Sequence, residues 1–311
     1  MTTARTTDIA VVLATRNRAE SLRQTLQSIG AMDAAGLDWQ LWVADNGSED
    51  HTASVLSDFR DRLPLHVLHA PEPGKNRALN RVLDGLNARL IVFTDDDVEV
   101  VPGWLRAFVD AAADQPEHDI FAGRILPRFP PGAPGWMTNP AYHFSRAAFA
   151  RFDLGETSGP TQRDAYGPSF AVRGRCLAGR RYDENIGPGG RKQYVCGGET
   201  ELLRRLRATG AETYYVAPAL VWHQVREEQL SLAWLQVRAF RLGRGDTYIR
   251  TRQVGAMSQS VFRRIRWSLP WAWLRWKLAS WFAGPVTVAK RAETYHFRRG
   301  QLAEWAAQRA E

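Results

Sequence analysis

Three aspartates stand in succession at Asp95-Asp96-Asp97, directly behind the apolar run Leu90–Phe93. Adjacent carboxylates repel one another, and a hard divalent cation bridging carboxylates and phosphates is their usual counterweight. Two other apolar runs also end in polar groups: Thr15-Arg16-Asn17 follows Ile9–Ala14, and Asp45 follows Leu41–Ala44. Pro73-Gly74-Lys75-Asn76-Arg77 places cationic and amide donors at a helix start, where diphosphate oxygens are well received. Alone, an aspartate triplet reads as a solvated acidic turn. Behind a buried strand, with two more polar strand ends beside it, it marks a ligand site, because open parallel sheets bind ligands at the carboxyl ends of their strands.

The elements that must position these groups alternate between strand and helix. Ile9–Ala14 is the unbroken apolar run of a strand covered on both faces. Asn17 with Glu20 reads as a capping box ahead of Leu22, Leu26 and Ile29 at helical spacing. Leu41–Ala44, a short helix with Val55, Leu56 and Phe59, a strand over Leu65–Leu68, a helix with Leu79, Leu83 and Leu86, and the strand Leu90–Phe93 follow. This pitch predicts an α/β fold around a mostly parallel sheet with right-handed crossovers. Beyond residue 100 the spacing predicts a helix near Trp104–Ala113, a strand over Ile120–Leu126 and a loop over Pro127–Gly135. A strand over Ser169–Arg173, a helix over Gly198–Ala208 and a strand over Thr213–Val221 complete this part.

Read in order, the segments ATRN (14–17), ADNGSED (44–50), GKNRALN (74–80), FTDDD (93–97), GPSFAVRG (167–174), YDENIGPGG (182–190), GGETELLRRL (197–206) and VWH (221–223) resemble the family 2 glycosyltransferases. The resemblance runs from about Ile9 to His223. It implies a GT-A-type, Rossmann-like fold with helices on both faces of the sheet, over a domain 1–225. Residues 1–100 would be the nucleotide-sugar half and 101–225 the acceptor half, with a helical extension over 226–311. It also implies an inverting, metal-dependent transfer of sugar from a nucleoside diphosphate donor, UDP-linked by family habit, to an acceptor hydroxyl of a glycan, lipid or small molecule in bacterial glycan or glycolipid synthesis.

Carried over residue by residue, the resemblance gives Thr15, Arg16, Asn17, Asp45, Lys75, Arg77, Asp95 and Asp96 to the donor. Asp45 suits a ribose or base, since a carboxylate accepts two hydrogen bonds and rejects phosphate. Asp95 and Asp97 match the two aspartates of the family's DxD motif, with Asp97 the direct ligand of manganese or magnesium and His223 completing the shell. The ion would neutralise the departing diphosphate. Glu199 falls where the family's general base is commonly aspartate; it has similar basicity and a longer reach. A helix N-terminus would also favour acidic residues at 199 and 201 for their charge alone. Trp222, Tyr166 and Trp136 are candidates to stack on a sugar ring, or to be core.

Composition excludes several other classes. With 311 residues, 44% hydrophobic and 24% charged, the chain is neither disordered nor a disulfide-stapled miniprotein. Cys176 and Cys196 form no CxxC and no zinc pattern with the seven histidines, which fits a reducing cytosol. The apolar run behind MTTARTTD is too short for a signal peptide, and no run approaches a bilayer span. The expected location is the cytoplasm, with peripheral contact on the cytoplasmic face of the inner membrane.

That contact is expected from the tail. Residues 1–225 carry 25 basic and 27 acidic residues, while 226–311 carry 16 and 6 and also seven of the twelve tryptophans. Trp267, Trp271, Leu274, Leu278 and Trp281 recur at steps of four and three, one stripe of a helix, while Trp273 and Trp276 lie off it beside Arg275 and Lys277. Pro270 belongs in a first turn, with Ser268 as its cap. Tryptophan flanked by cations suits an interfacial helix over 254–290; the bland alternative is a helix packed on the rest of the protein. Nucleic acid is not an expected partner, since no binding module accompanies the charge. Two rival functions remain. A sugar-nucleotide nucleotidyltransferase would want a glycine-rich loop after the first strand, where this chain has no glycine before Gly30. A catalytically silent nucleotide-sugar-binding scaffold is favoured only by the glutamate at 199.

Overall fold

The computed structural model describes residues 7–138, 148–189, 194–253 and 258–309. The N-terminal residues 1–6, residues 139–147, Gly190 of the YDENIGPGG segment and the start of the 254–290 stretch lie outside the described residues. The chain divides into two compact units, one of Met1–Pro127, Ala150–Glu184 and Gly198–Gln224, the other of Arg128–Phe149, Asn185–Gly197 and Val225–Glu311. The segments 128–149 and 185–197 thus group with the C-terminal residues.

The first unit is built on β1 (Thr7–Thr15), α1 (Ala19–Gly30), β2 (Trp39–Asp45), α2 (Thr52–Phe59), β3 (Leu65–His69), α3 (Lys75–Gly85), β4 (Ala88–Phe93), β5 (Val98–Val100), α4 (Trp104–Asp114) and β6 (Ile120–Arg128). The chain returns to it, after the four-residue helix α5 (Gly135–Thr138), with β7 (Gly159–Pro160), β8 (Phe170–Arg173), α6 (Gly174–Leu177), α7 (Gly198–Ala208) and β9 (Thr213–Gln224). The described strands form one sheet of order β3-β2-β1-β4-β8-β6-β9-β5, with β7 on β9.

The parallel order expected of the first hundred residues holds for β3-β2-β1-β4. Past β4 the sheet turns antiparallel, β8 pairing with both β4 and β6, and β5 with β9. Strand β1 runs between β2 and β4 with Ala10, Val11, Val12 and Leu13 wholly buried, which is why this run is apolar throughout rather than alternating. Trp104 opens α4 beneath the sheet, fully buried, its indole N–H donating to Ser169 Oγ at 3.0 Å.

The expected capping box at Asn17 does not form. An N-cap needs extended backbone, whereas Asn17 has φ 50°, in the left-handed region that asparagine tolerates better than most residues. Helix α1 starts two residues later, and the Ala19 N–H is satisfied from outside by the Asp50 carboxylate at 3.0 Å.

The second unit holds a 3-10 turn at Glu227–Gln229 and three long helices, α8 (Leu232–Gln253), α9 (Gln259–Phe282) and α10 (Pro285–Ala307). α8 and α10 meet at glycines. A Cβ on Gly243 would overlap the Phe297 carbonyl, and one on Gly300 would overlap the Phe240 carbonyl, so each helix lets the other's backbone in. Beside this crossing the Arg244 guanidinium grips Glu304 Oε2 through two nitrogens, at 2.7 and 2.9 Å.

α9 starts behind Ser258, and Pro270 lies at mid-helix, not in a first turn. Ser268 caps nothing; its hydroxyl donates back to the Ile265 carbonyl at 2.7 Å. The helix survives its proline because packing continues on either side. Phe262, Ile265, Leu269, Ala272, Trp276 and Ala279 form its more buried seam. Phe262 stacks on Trp305, and Trp276 stacks on Tyr295, with ring centroids 4.7 and 5.5 Å apart. The Trp267–Trp281 stripe read from the sequence lies away from that seam, in solvent. Among the described residues no helix is long and apolar enough to cross a membrane. Cys176 and Cys196 are free thiols.

Candidate active site

The polar ends of β1, β2 and β4 lie side by side because the three strands are parallel neighbours. Register alone puts Thr15 opposite Asp45. Both are buried. Asp45 accepts the Ser48 N–H at 3.0 Å and has His69 Nδ1 at 3.5 Å. Asn17 ties the first strand end to the second, its N–H donating to Ser48 Oγ at 3.0 Å and its Oδ1 accepting the Glu49 N–H at 2.7 Å. Arg16 is exposed in the turn between Thr15 and Asn17.

Asn46, to which the sequence reading gave no role, is the hub of this corner. Its amide donates to the Ala70 and Glu72 carbonyls at 2.8 and 2.7 Å and accepts the Gly74 N–H at 2.9 Å. One side chain thereby fixes the approach to α3 and delivers Lys75 to the site.

The aspartate triplet does not act as one group. Asp95 pairs with Lys75 at 2.5 Å, and Gly167 leaves its carboxylate room where a Cβ would stand 3.3 Å away. Asp96 and Asp97, both buried, share Arg18, whose Nη1 lies 2.7 and 3.1 Å from them. Arg18 went unnoticed in the sequence; the need of three carboxylates for cations was the one signal pointing to it. Burial pushes the Asp96 carboxyl up from its ordinary value, Arg18 opposes this, and the charge of Asp97 adds to it. On the other side of Asp97, Oδ1 faces His223 Nε2 at 3.6 Å, and the Asp97 carbonyl accepts the Gln224 N–H at 2.8 Å. His223 lies inside β9, which runs three residues further than the sequence indicated, and pairs in register with Val98 of β5.

Helix α7 brings Glu199, half-buried in its first turn, to the same corner. Gly198 is pressed so closely on the Asn76 amide that a side chain there would overlap it. Asn76 in turn donates to the Asp183 carbonyl at 2.8 Å, and Asn80 holds both backbone groups of Tyr182, at 2.8 and 3.0 Å. Burial works against the charge on Lys75, but the fields of Asp95 and then Glu199 outweigh it and hold the ammonium above its usual range. Tyr182 is raised by burial and by the same two carboxylates. Glu199, Lys75, Asp95 and Tyr182 therefore form one electrostatic cluster. Glu201 is committed elsewhere, to a bidentate pair with Arg205 at 2.6 and 2.8 Å.

The other expected residues have partners of their own. Arg77 turns to Glu184, 3.0 Å from its Nε. Tyr166 packs edge-on against Phe152 with centroids 5.8 Å apart, next to the glycine that fronts Asp95. Trp222 sits opposite Glu99 in the β5–β9 pair. Trp136 belongs to the second unit, where it packs in a cluster with Met137, Phe149 and Leu235.

The 3.6 Å between Asp97 Oδ1 and His223 Nε2 is too long for a hydrogen bond, and a carboxylate beside an imidazole is a donor pair that could hold a divalent ion. Among the described residues no cluster of three or more His, Cys, Asp or Glu is arranged to hold an ion unaided. A manganese or magnesium ion would draw the rest of its shell from substrate phosphates and water.

A sheet that is parallel on one side and antiparallel on the other, with acidic residues at its parallel strand ends, defines the GT-A class of nucleotide-sugar transferase fold. Among solved structures, the mannosyltransferase PcManGT from Pyrobaculum calidifontis, in complex with GDP-Man and Mn2+, superposes with a TM-score of 0.63 at 17% identity, covering 98% of this chain and 87% of that one. The family model for glycosyl transferase family 2 matches residues 10–186, more than half of the sequence, and the chain belongs to that family. It is a glycosyltransferase. Among curated relatives, it is 27% identical to the succinoglycan biosynthesis protein ExoM of Rhizobium meliloti over 73% of this chain and 70% of the relative. It is 25% identical to the glucosyl-dolichyl phosphate glucuronosyltransferase of Haloferax volcanii, over 76% and 75% respectively.

Proposed function

We propose that this enzyme moves a sugar from a nucleoside diphosphate sugar, UDP-linked, to an acceptor hydroxyl with inversion at the anomeric carbon. The observation that carries the reading is the packing of Gly198, next to Glu199, on Asn76, next to the Lys75–Asp95 pair, with the Asp97–His223 pair at the adjoining strand end. Residues 1–100 supply the donor contacts and 101–225 those of the acceptor. Asp45 and Thr15 receive the nucleoside, and Arg18 and Lys75 pair with the three aspartates at the acidic strand end. Asp97 and His223 would hold a manganese or magnesium ion, which when bound offsets the charge of the leaving diphosphate. Glu199 takes the proton from the acceptor hydroxyl as its oxygen attacks.

Support for the metal comes from the archaeal mannosyltransferase, whose structure contains GDP-Man and Mn2+. Support for a lipid-linked acceptor comes from relatives whose names specify dolichyl phosphate or undecaprenol carriers. Free thiols and such acceptors favour the cytoplasm or the cytoplasmic face of the inner membrane.

The test is a panel of nucleotide sugars, with and without manganese, read first as thermal stabilisation and then as nucleoside diphosphate release. The expected result is metal-dependent stabilisation by one UDP-sugar, lost in Asp97→Ala. Stabilisation by a GDP-sugar alone would overturn the UDP assignment; stabilisation that persists unchanged without metal would overturn the Asp97–His223 role. Stabilisation with no turnover on any acceptor would favour the silent scaffold.

A further inference from the structure

α9 shows two faces with different partners. Its seam, from Phe262 to Ala279, is taken up by α10. On the opposite side Trp267, Trp271, Leu274, Leu278 and Trp281 run in line at helical spacing, ending beside Phe282. Their exposure is far beyond that of an ordinary surface helix: 78% for Trp267, 68% for Trp271, 81% for Trp281 and 83% for Phe282. Scattered apolar residues on a surface need no explanation, but a continuous stripe does.

The borders of the stripe say what covers it. At 100° per residue, Arg264 and Arg275 flank one side and Arg266 and Lys277 the other, with Arg263 at the N-terminal end; all five are exposed. The whole stretch from Thr247 to Ala292 contains no aspartate or glutamate. A second copy meeting this face across a two-fold axis would set cation against cation. A partner with negative charge at its rim and hydrocarbon beneath meets both requirements, since tryptophan favours the boundary between headgroups and chains while arginine and lysine reach the phosphates. No described helix is apolar enough to span, so the contact is in the plane of the surface.

We propose that α9 is an interfacial helix that docks the second unit onto an anionic lipid bilayer through Trp267, Trp271, Leu274, Leu278 and Trp281, with Arg263, Arg264, Arg266, Arg275 and Lys277 on the headgroup phosphates. The seam to α10 supplies what such helices ordinarily lack in water: a folded scaffold that holds the apolar stripe in register before the membrane is met.

The test uses the full chain and co-sedimentation with phosphatidylcholine vesicles, either pure or with about one-third phosphatidylglycerol. The wild type is expected to partition onto the anionic vesicles, and Trp267→Ser/Trp271→Ser/Trp281→Ser to lose about tenfold or more in partition coefficient. Arg264→Gln/Arg266→Gln/Lys277→Gln is expected to lose about tenfold on anionic vesicles and to partition like the wild type on neutral ones. Asp97→Ala should bind vesicles as the wild type does, which separates this result from that of the donor panel. In the wild type, brominated lipid should quench tryptophan fluorescence, a readout that does not depend on any variant folding. Equal partitioning of wild type and tryptophan variant, or no quenching, would overturn the proposal. So would a dimer in solution that the tryptophan variant dissolves while the wild type ignores lipid.

Discussion

The ends of β1, β2 and β4 and the outer face of α9 break opposite rules of protein structure. At the strand ends the protein buries charge: Asp45, Asp96 and Asp97 are almost inaccessible, although carboxylates ordinarily stay in water. Along α9 it exposes tryptophan, the side chain with most to gain from burial. In both places the rest of the structure compensates. Arg18 offsets the charge of Asp96 and Asp97, and the well-packed α10 side of α9 anchors the helix that carries the exposed rings. What differs is how much each departure costs when its support is removed. Buried charge that loses its partner is stranded inside the protein, whereas an exposed tryptophan that is removed leaves the fold untouched. Substitutions at the strand ends should therefore disturb both chemistry and stability, and substitutions on the outer face of α9 neither.

The largest effect should come from Glu199→Gln. It removes the proposed base while preserving shape, so turnover should fall about a thousandfold. Donor-induced stabilisation should persist, because Lys75 keeps its pair with Asp95. Retained turnover would remove Glu199 from the mechanism and break the distinction between the two regions at its catalytic end. Next comes Gly300→Ala in α10. Its Cβ would overlap the Phe240 carbonyl, and as backbone cannot yield as a side chain does, about 3 kcal/mol of stability should be lost. Trp281→Ala on α9 should change stability by less than about 0.5 kcal/mol in water, being exposed. Denaturation midpoints of the two variants, measured together, would show whether the seam and the outer face of the helical unit are as unequal as their burial indicates.

Much of the first unit was legible because parallel strands covered on both faces must be unbroken apolar runs, and Ile9–Ala14 and Leu90–Phe93 have no other reading. β5 was not, because three residues directly behind the aspartates are too few to show a period. At the site, residue types were readable where partners were not. Arg18 meets Asp96 across 78 positions, and Asn46 meets Gly74 across 28; no local spacing records either contact. In α9 the pattern was present twice over. The stripe through Trp267 and Trp281 and the seam through Ala272 and Ala279 both recur at steps of three and four. Bulk draws attention to the tryptophans, yet small alanines are what let α10 approach.

Arg18 is the intermediate case. Arg18→Met leaves Asp96 and Asp97 buried without their shared cation. With Arg18 itself about one-third exposed, solvent discounts the loss to about 1–2 kcal/mol. The same change makes the strand end more negative, so manganese affinity measured by calorimetry should rise, and saturating manganese should restore part of the lost stability. An unchanged melting midpoint together with unchanged manganese affinity would mean that Arg18 does not share the field of these aspartates.

The remaining effect lies in the helical unit and depends on pH. His296 is packed between Trp276, whose ring centroid is 5.3 Å away, and Tyr295, at 5.1 Å. Burial first, and then the charge of Arg299, push its imidazole down to about 4. In the unfolded chain the same ring takes up a proton near the ordinary value of about 6.5. Below that value the unfolded state binds a proton that the folded state refuses, so the stability contributed by neutral His296 is complete above about pH 6.5 and drains away as pH falls towards 4. Denaturation of the full chain at pH 7 and pH 5 should show the helical unit weakened at the lower value, and His296→Phe should flatten that slope. Identical slopes in the two proteins would mean the imidazole is hydrated enough to accept its proton in place, and the α9–α10 seam would then be open to water at Trp276 while the aspartates of the first unit stay dry.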